Sequence, residues 1–350
     1  MSRFRPVVAA LPFFLGAGAF AGLVGCAGNA IRLAELPEAP LALVHRSPET
    51  ARRRAELLAD RETLRKEAVA ELQRRARGVF DLERVGELFG RGQPPDLRRL
   101  QGRVMLLHPR TGELEPLPGL LAGDLPLDWS ADHRHLLFAS VRRGSPQLFE
   151  YDLGTGEVRQ LTHGRDHPWG RYGPEGRLVV VEAVADEPEP RMRAGVTAPG
   201  GGGLRPVTPG PTDWAPAWSP DGRQIVYVGA LSGGGSGILS VRLVGERVTP
   251  PRVLARGGMD PTFTPDGEWI VYAAQTPRGF RIFRMRPDGT GKIAVGRGLH
   301  EERRPAVSPD GGFVAFVSME AGRERLLVRR LDGSGGRRLL EDGDGAFPAW

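Results

Sequence analysis

The chain has 350 residues, of which 40% are apolar and 26% charged, more than one ordinary domain and enough to bury a core, so wholesale disorder is excluded. Most of its formal charge of +6 belongs to the first hundred residues, where 17 Lys and Arg face 12 Asp and Glu; the other 31 basic and 30 acidic side chains nearly cancel, which argues against a basic nucleic-acid groove. The single cysteine, Cys26, excludes an internal disulfide framework and a zinc site of several thiolates.

At the N-terminus, Arg3 and Arg5 precede an apolar run from Val7 to Val24 broken by Pro12 and small residues, the charge-then-apolar layout of a secretory signal. The run ends Leu23-Val24-Gly25-Cys26. It resembles a bacterial lipoprotein signal, in which residues 1–25 would be removed and Cys26 would become the acylated first residue. That resemblance implies a membrane partner through the lipid anchor. Ala27, in place of the aspartate that retains such proteins at the inner membrane, implies the periplasmic leaflet of the outer membrane in a Gram-negative cell.

Residues 26–47, with Pro37 and Pro40 and no sustained period, read as the lipidated cysteine and a linker. Ser47-Pro48-Glu49 is a helix start, a hydroxyl cap followed by proline at the first helical position. The helical segment spans 48–92. Leu57, Leu64, Ala68, Leu72 and Ala76 form a narrow apolar stripe. Arg74, Arg75, Arg77 and Gly78 mark the first helix's end, and a second short helix covers Leu82–Phe89. The stripe favours packing on the protein's own large domain over a role as spacer or partner-docking helix.

From residue 101 onward a repeat takes over. Trp218-Ser219-Pro220-Asp221-Gly222, Phe263-Thr264-Pro265-Asp266-Gly267 and Val307-Ser308-Pro309-Asp310-Gly311 each precede an apolar strand, and degenerate copies begin at Trp129 and Tyr172. With Trp350, the first positions recur at steps of 43 to 46 residues. Pro sets the first turn corner, Asp tolerates the second, and Gly supplies a positive φ. Forty-nine glycines and 31 prolines fit such a turn-rich, all-β chain. Further turns at Gly154-Thr155-Gly156, Gly289-Thr290-Gly291 and Gly333-Ser334-Gly335 bring the count to four strands per repeat, the arithmetic of a propeller.

Residues 101–350 resemble the TolB-type, WD40-like propeller repeat of bacterial envelope proteins. The expected fold is an all-β, six-bladed propeller closed by N- and C-terminal strands and preceded by the helical segment. The hairpin at Gly102–Leu117 and the strand at Ala346–Trp350 should share the closing blade. One strand of that blade is unassigned; either Pro95–Leu100 supplies it or the chain is truncated.

No HExxH, nucleophile elbow, Walker loop or cysteine motif accompanies the repeat, so no catalytic residue, metal or cofactor is assigned and binding without turnover is expected. His163, Asp166 and His167 have the chemistry of metal ligands but read better as an inter-blade loop, and Asp342-Gly343-Asp344-Gly345 reads as a turn. Counting back from the repeat prolines aligns Asp124, His167, Asp213, Gly258, Glu302 and Gly345. Expected to ring one channel mouth, with Trp169, Trp214 and Arg303 beside them, these residues suit a basic peptide segment or a cation. An alternative is that they cap strand ends and tie blades together. The expected function is a lipid-anchored envelope scaffold binding an envelope protein or peptidoglycan-associated partner. A channel-mouth lyase or hydrolase acting on glycans, and a component of a secretion or motility assembly, are the alternatives.

Overall fold

The computed structural model describes residues 30–56, 59, 102–184, 191–296 and 298–350. The signal segment, Cys26, most of the helical segment with its second helix, and Pro95–Leu100 lie outside them.

Four copies of the repeat close a turn by the same local chemistry, and the Tyr172 copy closes through a 3-10 turn at Pro174–Gly176 instead. The Ser219 hydroxyl donates to Asp221 at 2.5 Å and accepts the Gln224 N–H at 2.9 Å, while Asp221 accepts the Arg223 N–H at 3.0 Å. Thr264 with Asp266, Ser308 with Asp310 and Ser130 with Asp132 repeat the arrangement. Gly222, Gly267 and Gly311 stand at φ of +69°, +71° and +71°, where a Cβ would be strained.

The turns link strands into six antiparallel sheets. Blade 1 holds β4 (Leu125–Trp129), β5 (His135–Ser140), β6 (Gln147–Asp152) and β7 (Val158–Gln160). Blade 2 holds β8 (Asp166–Tyr172), β9 (Leu178–Val184), β10 (Arg191–Val196) and β11 (Arg205–Pro206). Blade 3 has five strands, β12 (Trp214–Trp218), β13 (Gln224–Ala230), β14 (Ser236–Val244), β15 (Arg247–Val248) and β16 (Arg252–Arg256). Blade 4 comprises β17 (Gly258–Phe263), β18 (Ile270–Thr276), β19 (Gly279–Met285) and β20 (Ile293–Ala294). Blade 5 comprises β21 (Glu301–Val307), β22 (Phe313–Glu320), β23 (Arg323–Arg330) and β24 (Arg337–Arg338). Central strands are apolar on both faces because neighbouring blades cover both; Ile225, Val226 and Tyr227 of β13 are all buried. The core is accordingly divided into six apolar clusters, one at each seam between blades.

Blade 6 closes the ring in the order β25 (Asp344–Ala349), β1 (Leu41–Arg46), β2 (Arg103–Leu107) and β3 (Leu114–Pro116). The hairpin and C-terminal strand share a blade as expected. The unassigned strand is neither Pro95–Leu100 nor missing. It is β1, inside the segment taken as linker, and it pairs β2 on one side and β25 on the other. Leu41, Ala42, Leu43 and Val44 are all buried, so what holds this segment is a run that is apolar on both faces. Trp129 Nε1 donates to Ala349 O at 3.1 Å, bonding blade 1 to blade 6.

The ring has two chemically different ends. The Ser/Thr-x-Asp-Gly turns lie at one, the turn end. At the other, the connector end, the inner strands begin and the chain crosses between blades. A helix α1 (48–56) leaves β1 at the connector end; the Thr50 N–H donates to Ser47 Oγ at 3.3 Å, the cap expected from Ser-Pro-Glu. Ala51 is buried, and Arg54 pairs with Glu324 of β23 at 3.2 Å, so the described start of this helix packs on blade 5.

Candidate functional site

The six aligned register positions share an environment, but it is not an open mouth. His167, at the start of β8, lies with Nδ1 3.4 Å from Gln147 Oε1, which accepts the Thr162 hydroxyl at 2.8 Å; Thr162 in turn accepts the Leu148 N–H of β6 at 2.9 Å. Asp213 accepts the Gly210 N–H at 2.6 Å and bonds to Thr208, whose hydroxyl accepts the Ala194 N–H of β10. Glu302 reaches the Ile282 N–H of β19 at 3.3 Å and pairs with Arg329 at 3.0 Å. Each of these side chains runs to the third strand of the preceding blade, directly or through a threonine. A Cβ on Gly258 or Gly345 would meet Ile238 or Leu326 of the corresponding strands. Asp124 is pinned by Arg142 at 2.5 Å and the Leu121 N–H at 2.8 Å.

Asp124, His167, Asp213 and Glu302 are therefore buried and serve as ties between or within blades, with no side chain displayed to a partner. Burial raises the Asp213 carboxyl above its ordinary value, against the Thr208 and Gly210 hydrogen bonds, and lowers the His167 imidazole. Trp169 and Trp214 do meet, with ring centroids 5.6 Å apart and both half-buried. Arg303 lies apart from them on blade 5, stacked 4.6 Å from the Phe280 ring centre and donating to Glu301 at 2.7 Å.

The residues that converge on the ring's middle stand elsewhere in the repeat. Strand pairing slips within every inner strand, a bulge that re-aims side chains. In four blades the residue just before the proline, Ala215, Asp260, Arg304 or Phe347, takes a positive φ of +47°, +50°, +53° or +51°. Arg304 stacks 3.7 Å from the Phe347 ring centre and donates to Glu324 at 3.1 Å. Asp260 feels Arg304, Arg171 and Arg303, while Arg171 stands 3.4 Å from Asp128. Burial pushes both Asp128 and Asp260 upward, against the pull of these guanidiniums. The X-Pro step in four copies was the available signal for Ala215, Asp260, Arg304 and Phe347. Among the described residues no three of His, Cys, Asp and Glu gather to hold a metal ion, His163, Asp166 and His167 included.

The TolB beta propeller domain family matches residues 210–350, from the start of blade 3 to the inner strand of blade 6. The Tol-Pal system protein TolB of Sodalis glossinidius is 30% identical over 151 residues, 35% of each chain. In structure, TolB from Acinetobacter baumannii superposes with a TM-score of 0.60 at 14% identity, covering 89% of this chain and 66% of that one. The ring is a TolB-type β-propeller. An uncharacterised protein of Agrobacterium fabrum is also similar, 28% identical over 205 residues, 55% of this chain and 65% of the relative. The chain thus matches between about a third and two thirds of the length of these curated relatives.

What the TolB-type ring exposes is uneven. Leu121, Val141 and Leu299, the last 82% exposed, all lie at the connector end. Exposed Arg143, Arg278 and His300 stand among them. Val244 is exposed at the turn end, and Val253 and Ile293 are exposed on the outer strands of blades 3 and 4.

Proposed function

We propose that this protein is a lipid-anchored component of the bacterial cell envelope whose TolB-type ring offers its connector end to a protein or peptidoglycan-associated partner, acting by binding. The observation that carries this reading is that Leu121, Val141 and the most exposed of the described large apolar side chains, Leu299, stand together with exposed Arg143 and Arg278 at one end of the ring. Exposed apolar side chains gathered on one surface mark interaction sites, arginine is enriched in binding hot spots, and similarity to a Tol-Pal system protein supports an envelope setting. The inter-blade ties at Asp124, His167, Asp213 and Glu302 act one step back, by keeping the connectors that carry these side chains rigid. The lipid attachment at Cys26 rests on the Leu-Val-Gly-Cys sequence.

A photo-crosslinking residue at position 299, 141 or 244, introduced in the intact envelope, tests the reading. Discrete adducts are expected from 299 and 141 and none from 244. Adducts from 244 alone, or from none of the three, would contradict it.

A further inference from the structure

The chain enters the ring at the turn end and is fixed there within a few residues of Cys26. Ile31 and Leu36 are buried in the seam between blades 5 and 6. Arg110, in the β2–β3 turn, donates to Leu36 O at 2.7 Å, and Trp350 Nε1 donates to Ala39 O at 3.1 Å. Arg330 pairs with Glu35, and Arg337 reaches Ile31 O at 3.5 Å. All of these partners sit where strands of blades 5 and 6 meet the turn end. The helical segment departs from the opposite end, after Arg46.

Five residue steps separate Cys26 from Ile31, a reach of at most about 17 Å when fully extended. Crossing one headgroup layer uses roughly 5–8 Å of that. We infer that the turn end of blades 5 and 6 is held against a phospholipid surface, so that the connector end points away from the bilayer. The inference rests on acylation of Cys26 as proposed above. Turns at this site suit apposition to headgroups without insertion: Asp310, Asp332 and Ser334 are exposed there, with Arg32 beside them, and no exposed large apolar side chain occurs among them. The short tether and the polarity of the ring together turn an anchor into an orientation. A partner is then met at the connector end with the whole height of the ring between it and the membrane.

The test uses the full acylated protein in vesicles carrying a headgroup-labelled acceptor lipid. A donor dye is placed on Ser334→Cys at the turn end or on Arg278→Cys at the connector end, since acylation blocks Cys26. Strands of six to eight residues separate the two ends by roughly 20–25 Å. Energy transfer should be several-fold stronger from position 334. Inserting twenty Gly/Ser residues between Ala27 and Gly28, a coil of about 25 Å, should remove the difference. Equal transfer from both positions without the insertion, or stronger transfer from 278, overturns the orientation. The acyl mass on the N-terminal peptide of the same sample separates the two readings: a bare thiol there overturns both, whereas acylated protein with equal transfer overturns the orientation alone.

Discussion

Glu324 shows how much of this ring hangs on single buried charges. It accepts from Arg46 at 2.7 Å, Arg304 at 3.1 Å and Arg54 at 3.2 Å, gathering the closing strand, a central bulge and the helix start onto blade 5. Burial acts to raise its carboxyl, but the three guanidiniums outweigh that and hold it below the ordinary value of 4.5. Arg46 moves downward as well, because burial and the neighbouring Arg54 charge outweigh the pull of Glu324 and Asp344. Replacing Glu324 with Gln leaves buried guanidinium charge uncompensated and should cost about 3 kcal/mol near neutral pH, measured by urea unfolding. Because the folded carboxyl titrates below 4.5, its contribution is complete above that value and is lost as pH falls through the lower folded one. The gap between wild type and Glu324→Gln should therefore narrow as pH falls below 4.5. Asp128 and Asp260 have the opposite sign, being raised by burial, but both proteins carry them and the comparison cancels them. Glu302→Lys would set a lysine against Arg329 in a buried seam; a loss of about 3–5 kcal/mol, seen as a lower melting temperature, is expected. The alignment that picked out Glu302, Asp213 and His167 was legible in the repeat. Their direction was not, because the bulge before each proline interrupts the alternation from which inward and outward faces would be read.

Strands and turns follow the sequence where the repeat is strong. The Ser308 hydroxyl donates to Asp310 at 2.5 Å and accepts the Phe313 N–H at 2.9 Å while fully buried. Ser308→Ala should cost about 1–3 kcal/mol by leaving these groups unmatched, and urea titration would show it. The turns, the outer hairpins and the period of the blades were readable for that reason, the strong copies carrying their own hydrogen-bonding instructions. Strand β1 carried none. Its four apolar residues follow Pro37 and Pro40, and its partners are Val104–Leu107 on one side and Ala346–Ala349 on the other, the second some three hundred positions away. Short apolar runs do not distinguish a buried strand from other buried chain. Leu43→Ala, removing a fully buried side chain from this strand, should cost about 2–5 kcal/mol, and the loss should exceed that of truncating exposed Val253 on the rim.

At the scale of the whole molecule, six seams close a ring whose last blade joins both ends of the chain, so every blade has a neighbour packed against each face. The closing strand also shortens the path from Cys26 to the folded body, which turns ring closure into a constraint on how the protein sits at a membrane. Likeness to TolB proteins gives the propeller but not the partner, since the chain matches only between about a third and two thirds of the length of these curated relatives. That β1 belongs to the ring is the claim on which tether length, orientation and the free connector end all depend. Amide hydrogen exchange of the mature protein tests it most directly. Ala42, Leu43 and Val44 should exchange as slowly as Val314–Val317 in the centre of blade 5; exchange at the rate of solvated chain would contradict the closure and everything built on it.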